Sequence, residues 1–200
     1  MASDFGFEVP SWDQVYVMLL DLAEQIRGDG FEPDFIVGIS RGGLVPARIL
    51  SDLLENPHLT SVSTEYYVGI YEAKSEPLLT QQSQVSVFGK KILLVDDVVD
   101  TGRSVMLVRD HLCQQDLSEI RLLTLYCKQW STAKPDFYSR KTSDWVVFPW
   151  EVKETLAKLT KKSKESNASF EAAVDRLIRS GIDRALVGRL LKEQGAIRES

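Results

Sequence analysis

Apolar positions along this chain recur in two periods. Residues 35–39 (FIVGI), 92–95 (ILLV) and 122–127 (LLTLYC) are short, nearly unbroken apolar runs, the pattern of strands covered on both faces. Between them, apolar residues fall every three or four positions. Val15, Leu19, Leu22 and Ile26 form one such stripe, and residues 44–54 and 103–114 carry two more. The first helix has a start and a stop written in its sequence: Ser11 and Gln14 stand at capping-box spacing, and Gly28-Asp29-Gly30 ends it. Pro46 falls in the first turn of the second, where a missing N–H is tolerated. Residues 62–70, with Tyr66, Tyr67 and Val68, and the short run 145–148 complete the strands. Strands alternating with helices predict βαβ units, and so an α/β fold built on a mainly parallel, twisted sheet flanked by helices.

Two stretches break the alternation. Residues 71–86 are polar and carry no helical period, and an irregular stretch of that length inside a compact domain is uncommon unless it is functional. Residues 161–167 (KKSKESN) read as a polar linker. Two short amphipathic helices are expected after it, one over 170–179 capped by Ser169 and stopped at Gly181, the other over 184–194 capped by Asp183. Their apolar faces are Phe170, Val174, Leu177 and Ile178, then Leu186, Val187, Leu190 and Leu191. A hairpin this short is marginal alone, so it is expected to pack on the body or on another subunit. The division expected is residues 1–155 as the main domain and 156–200 as linker and helical hairpin.

Composition narrows the class. Two hundred residues suffice for one α/β domain with an appendage. No apolar run is long enough to span a membrane, and the opening MASDFGFEVPSWDQ lacks the basic-then-apolar order of a leader, so a cytoplasmic location is expected. The net charge of −5 argues against a general nucleic-acid binder. It is unevenly spread: residues 155–200 hold ten Lys/Arg against six Asp/Glu, and the rest 14 against 23. Cys113 and Cys127 are expected to be reduced thiols, and His58 and His111 stand too isolated for a zinc site.

The chemistry concentrates in residues 92–104, ILLVDDVVDTGRS. Two adjacent carboxylates, Asp96 and Asp97, are expected where a buried strand ends. Asp100-Thr101-Gly102-Arg103-Ser104 then forms a small polar turn that opens a helix. In parallel α/β sheets, ligands bind at the carboxyl ends of the strands. A turn of this kind offers backbone N–H groups and a positive dipole end to a phosphate. Acids beside a phosphate cradle make sense when the ligand also carries hydroxyls or Mg²⁺, and a sugar phosphate has both. Ser40-Arg41-Gly42-Gly43 follows the strand 35–39; its glycines admit close approach of backbone to an anion, and Arg41 supplies a cationic fork. Lys128 ends the strand after the acidic one and is read as a donor into the same cleft, with Lys134 farther from the strand end. Trp145, beside Val146, is a candidate stacking platform for a planar base.

The run ILLVDDVVDTGRS resembles the binding signature of type I phosphoribosyltransferases, which recognise 5-phosphoribosyl-1-diphosphate (PRPP). SRGGLVPA resembles the family's pyrophosphate loop, and SDWVVFPWE the base-specificity segment of its xanthine/guanine/hypoxanthine members. Where many relatives place Pro after the base-reading lysine, this chain has Gln129. The resemblance spans about residues 12–152 and does not reach the two-helix tail. It implies the type I fold, with a small hood or flexible loop at about residues 71–86. It implies transfer of phosphoribose from PRPP to N9 of a 6-oxopurine (guanine, hypoxanthine or xanthine), with Mg²⁺ as cofactor. In that reading Asp96 and Asp97 meet the ribose hydroxyls, Asp97 with Mg²⁺, directly or indirectly. Thr101, Gly102, Arg103 and Ser104, with Asp100, hold the 5′-phosphate. Ser40, Arg41, Gly42 and Gly43 hold pyrophosphate; Lys128, Trp145 and Val146 meet the purine; and Asp100 is the general acid/base. A homodimer or higher homo-oligomer is expected, with small molecules rather than nucleic acid or membrane as partners. The same fold also serves regulators that bind PRPP as a signal, which is the alternative.

Overall fold

The computed structural model describes residues 6–67, 76–81, 85–165 and 169–193. In chain order the elements are β1 (Phe7–Glu8), α1 (Trp12–Asp29), β2 (Phe35–Ser40), α2 (Leu44–Leu53), β3 (Leu59–Tyr67), β4 (Glu76–Gln81), β5 (Lys91–Val99), α3 (Arg103–Cys113), β6 (Glu119–Lys128), β7 (Phe137–Thr142), β8 (Trp145–Val146), α4 (Val152–Glu165), α5 (Phe170–Arg179) and α6 (Arg184–Glu193). They form two compact units, Val15–Thr142 and a smaller one made of Met1–Gln14 with Ser143–Ser200.

The larger unit is a six-stranded sheet in the order β4-β3-β2-β5-β6-β7. Every pairing is parallel except β3 with β4. Alternate residues of each strand serve opposite faces. On one face Val37, Ile39, Ile92 and Leu94 pack with Val105, Val108 and Leu112 of α3. On the other, α2 lies on β2 and β5. It comes close because Gly38 has no side chain: a Cβ there would meet Ala47 Cβ at 3.1 Å. Helix α1 begins as expected, Ser11 N–H donating to Gln14 Oε1 (2.8 Å) and Gln14 N–H to Ser11 Oγ (3.2 Å). It ends before Gly30, whose φ is +73°.

Several elements depart from the sequence reading, among them the unexpected β1. Residues 76–81, expected to be irregular, form β4, an antiparallel edge strand whose register shifts at Ser63/Thr64; residues 71–75 and 82–84 of the expected hood lie outside the described residues. β7 pairs parallel with β6 although FYSRKT looks polar, because an edge strand has one open side: only its two end residues, Phe137 and Thr142, are buried. Residues 161–165, expected as linker, continue α4. The helix holds because Val152, Leu156 and Leu159 recur at helical spacing beneath a Lys- and Glu-rich surface, and both residue types are good helix formers.

In the smaller unit β1 and β8 pair in parallel, Phe7 opposite Trp145 and Glu8 opposite Val146. The C-terminal hairpin finds its partner here. Val174, Leu177, Ile182, Val187 and Leu191 bury themselves against Val147, Val152 and Leu156, with Phe7 and Val9 at the edge. Ser169 Oγ accepts from Ala172 N–H (3.2 Å) and Asp183 Oδ1 from Leu186 N–H (2.7 Å), the expected caps. Leu186 departs from the expected apolar face and stands exposed.

Candidate functional site

The carboxyl ends of β2, β5 and β6 are neighbours in the sheet, so the turns leaving them open on one edge. The acidic pair does not sit at the end of β5, as the sequence suggests. β5 runs on to Val99, because Val98 and Val99 still pair with Tyr126 and Cys127 of β6. On the β2 side the pairing stops at Gly38 opposite Val95. Asp96 and Asp97 therefore emerge where β5 has lost one neighbour and kept the other, beside the turn that joins β2 to α2.

That turn closes on them. A Cβ at Gly42 would lie 2.1 Å from Asp97 Oδ2, and one at Gly43 would lie 2.3 Å from the Val95 carbonyl oxygen. Only glycine permits this approach, so the pair of glycines brings the two loops into contact. The Ser40–Arg41 peptide is cis. α2 starts at Gly43 without a side-chain cap. Asp97 is buried, and its Oδ1 accepts from Val98 N–H at 2.8 Å, while Asp96 Oδ1 accepts from Asp97 N–H at 3.0 Å. Burial, and then the charge of Asp97 beside it, push the Asp96 carboxyl well above its ordinary range. Two carboxylates forced together in this way suit a positive or hydroxyl-bearing ligand. The described residues hold no group of three or more His, Cys, Asp or Glu arranged for a metal. Asp96 and Asp97 offer hard oxygen donors of the kind a divalent cation takes, with room in its coordination for ligand oxygens.

Past Val99 the chain turns through Asp100 to Gly102, whose φ of +89° is the left-handed conformation that suits glycine, and α3 begins. Gly102 offers no side chain to cap the helix, and Arg103 N–H reaches Thr101 Oγ1 at a long 3.4 Å. First-turn amides and the dipole of α3 thus face the turn that the sequence assigns to phosphate.

Sequence reasoning missed the residues that brace this turn. The loop after β6 is fastened to it: Thr132 donates to the Thr101 carbonyl through both its N–H (3.3 Å) and its hydroxyl (2.8 Å). A Cβ at Gly102 would lie 2.7 Å from Ala133 Cβ. Trp130 donates its indole N–H to Asp100 Oδ1 at 2.8 Å. Lys128 Nζ lies over the same indole, 5.4 Å from the ring centroid. Val99 is opposite Cys127, so Asp100, just past the end of β5, comes level with Lys128 at the end of β6, with Lys128 largely buried. The available signal was an aromatic two residues past a lysine at a strand end.

The larger unit thus brings together Ser40, Arg41, Gly42, Gly43, Asp96, Asp97, Asp100, Thr101, Gly102, Arg103, Ser104 and Lys128 on one sheet edge. Trp145 and Val146 belong to the smaller unit, where Trp145 is exposed with Lys158 Nζ 5.7 Å from its ring centroid and Val146 is buried. An open hollow among Arg27, Phe31, Asp34, Leu54 and His58 lies at the amino-terminal edge of the sheet, away from these groups.

Known proteins resemble the chain over most of its length. The phosphoribosyl transferase domain model matches residues 11–155. A xanthine-guanine phosphoribosyltransferase of Cereibacter sphaeroides is 33% identical over 154 residues, 74% of this chain and 87% of that protein. Among solved structures, a purine phosphoribosyltransferase from Pyrococcus horikoshii aligns with a TM-score of 0.66 and 33% identity, covering 72% of this chain and 93% of that one. A Neisseria gonorrhoeae protein solved with bound ppGpp aligns with a TM-score of 0.66 and 26% identity over 74% of this chain and 90% of its own.

Proposed function

The chain belongs to the phosphoribosyl transferase family, and we propose that it is a purine-salvage enzyme. It transfers 5-phosphoribose from PRPP to N9 of a 6-oxopurine and releases the nucleoside 5′-monophosphate and pyrophosphate. The observation that carries the reading is the contact of Gly42 with the Asp97 carboxylate, because it joins an anion loop to an acidic pair at one sheet edge. A ligand answering both must hold a leaving anion and sugar hydroxyls side by side, and PRPP does.

In the reaction the bond from C1′ to pyrophosphate breaks as purine N9 attacks, with oxocarbenium character at the sugar carbon. Arg41 and the backbone of Gly42 and Gly43 receive the charge that gathers on the leaving oxygens. Asp97 would hold Mg²⁺, directly or indirectly, and the ion would supply electrostatic neutralisation of the leaving pyrophosphate. Asp96 and Asp97 accept from the ribose hydroxyls, and the turn from Thr101 to Ser104 at the start of α3 holds the 5′-phosphate. Asp100 takes up the ring proton displaced as N9 bonds. Lys128, a donor only, meets a 6-oxo group and has nothing to accept from a 6-amino group. In this reading Trp145 would stack on the purine and the Val146 backbone carbonyl would meet its exocyclic edge.

We also propose a cytoplasmic homo-oligomer; exposed Tyr16, Val17 and Leu20 on α1 offer an apolar face for a second copy. No helix among the described residues is long and apolar enough to cross a membrane.

The test is nucleotide formation from PRPP and Mg²⁺ with guanine, hypoxanthine, xanthine and adenine in turn. Turnover of 6-oxopurines and not of adenine is expected, and Asp100→Asn should lower kcat about 10²–10⁴-fold with PRPP affinity little changed. PRPP binding without turnover of any base would replace this reading with that of a PRPP-sensing regulator.

A further inference from the structure

We propose that Trp130 is a positioning residue that sets Asp100 and Lys128 against the purine together; the inference rests on the function proposed above. Half-exposed in the turn after β6, its ring has no core to fill. It meets the two groups assigned to the base by its two different chemistries. The indole N–H, a donor with no acceptor role, takes Asp100 Oδ1 at 2.8 Å. The ring face receives the Lys128 ammonium at 5.4 Å from its centroid.

A carboxylate on a short side chain rotates about its last torsion. One oxygen pinned by an indole fixes that torsion, and the other oxygen is then the one aimed at a purine ring proton. The lysine has four methylenes to fix, and a ring face beside its ammonium limits where that charge can stand. The platform is itself held, since Thr132 bonds twice to the Thr101 carbonyl and Ala133 is packed against Gly102. The loop that carries Trp130 is therefore tied to the phosphate turn that carries Asp100. Placing the sugar phosphate and aiming the proton acceptor become one structural event.

The experiment is a double-mutant cycle with a split between kcat and KM. Trp130→Phe keeps a ring for Lys128 and removes the N–H. It should lower kcat about 10-fold or more, from loss of alignment, with KM for guanine unchanged. In an Asp100→Asn background the same change should cost less than about 2-fold, because the partner it aims is already gone. Trp130→Leu removes both contacts and should add a rise in KM for guanine. A residue serving only to fold the loop would cost equally in both backgrounds, and that result, or no loss from Trp130→Phe in the otherwise native protein, overturns the proposal. Should Trp130→Phe fail to fold, the indole ¹⁵N–¹H spectrum of the native protein and of Asp100→Asn decides. Four indole signals are expected from four tryptophans. The signal that remains after Trp12→Phe, Trp145→Phe and Trp150→Phe have each identified their own should move in Asp100→Asn, and an unmoved signal overturns the pairing. Absence of purine turnover by the native protein would count against the proposed function instead, and leaves the spectral test standing.

Discussion

Replacing Gly42 by alanine adds one methyl group at the tightest point of the site. That methyl would stand 2.1 Å from Asp97 Oδ2 and 2.4 Å from its carboxyl carbon, against the roughly 3.5–4.0 Å at which unbonded heavy atoms rest. The obstacle is the end of a side chain, so the carboxylate can retreat. Retreat breaks its hydrogen bond from Val98 N–H, at 2.8 Å, on a side chain that is buried. A hydrogen bond to a charged group contributes about 1.5–3 kcal/mol, and removing a glycine restrains the unfolded chain by about 0.4–1 kcal/mol in the other direction. The balance is a loss of about 1–2 kcal/mol, which lowers Tm by roughly 2–8 °C in a chain of this size. Gly43→Ala is the comparison. Its methyl meets the carbonyl oxygens of Val95 at 2.3 Å and Ile39 at 2.8 Å, backbone atoms of paired strands that do not retreat alone. Its cost falls at the upper end for overpacking, about 3 kcal/mol. Activity should reverse the emphasis: with Asp97 displaced, Gly42→Ala loses about 10²-fold in kcat/KM for PRPP despite its modest melting shift. Thermal unfolding and initial rates against PRPP concentration measure both. A Gly42→Ala protein with native Tm and native kcat/KM, or one less stable than Gly43→Ala, would refute the contact argument.

Two further outcomes can be drawn from the same structure. Burial and the charge of Asp97 hold the Asp96 carboxyl above its ordinary value of 3.8, so its ionised form costs the folded state stability. That cost is absent below the ordinary value, grows as pH rises through it, and is complete above the raised one. Asp96→Asn should therefore raise Tm at pH 7, by a margin that shrinks toward pH 4, while turnover falls; a lower Tm at pH 7 sinks the reasoning. Leu177 is fully buried in the cluster joining α4, α5 and α6, so Leu177→Ala should cost about 2–5 kcal/mol in urea unfolding. A loss below about 1 kcal/mol would mean the hairpin does not depend on that core.

The strands nearest the site were legible because both faces of a central parallel strand are covered, and unbroken runs such as ILLV have few other readings. The turns leaving β2 and β5 were legible because the paired glycines at 42–43 and the run Thr101-Gly102-Arg103-Ser104 are turn and helix-start signals, whereas the acidic pair, expected at a strand end, lies within β5 because pairing with β6 continues past it. β4 and β7 escaped because edge strands carry polar residues on their open side, and β4 has Thr and Gln where a core strand would have Val. α4 escaped over residues 161–165 because a lysine-rich helical surface reads like a linker once its apolar stripe has ended. Trp130 escaped for another reason. Its importance lies in contacts with Asp100, thirty positions earlier, and only the pairing of β5 with β6 brings the two to one level.

The smaller unit is discontinuous: β1, near the start of the chain, lies parallel to β8, beyond residue 142. During synthesis the six-stranded sheet is complete once residue 142 has left the ribosome, while β1 still lacks its partner. Vectorial synthesis lets an early segment fold before later ones emerge. β1 is thus among the last of the described elements to be satisfied, and until then Phe7 and Val9 have no cluster in which to hide. Slow translation just past Thr142 would prolong that exposure without touching the site itself.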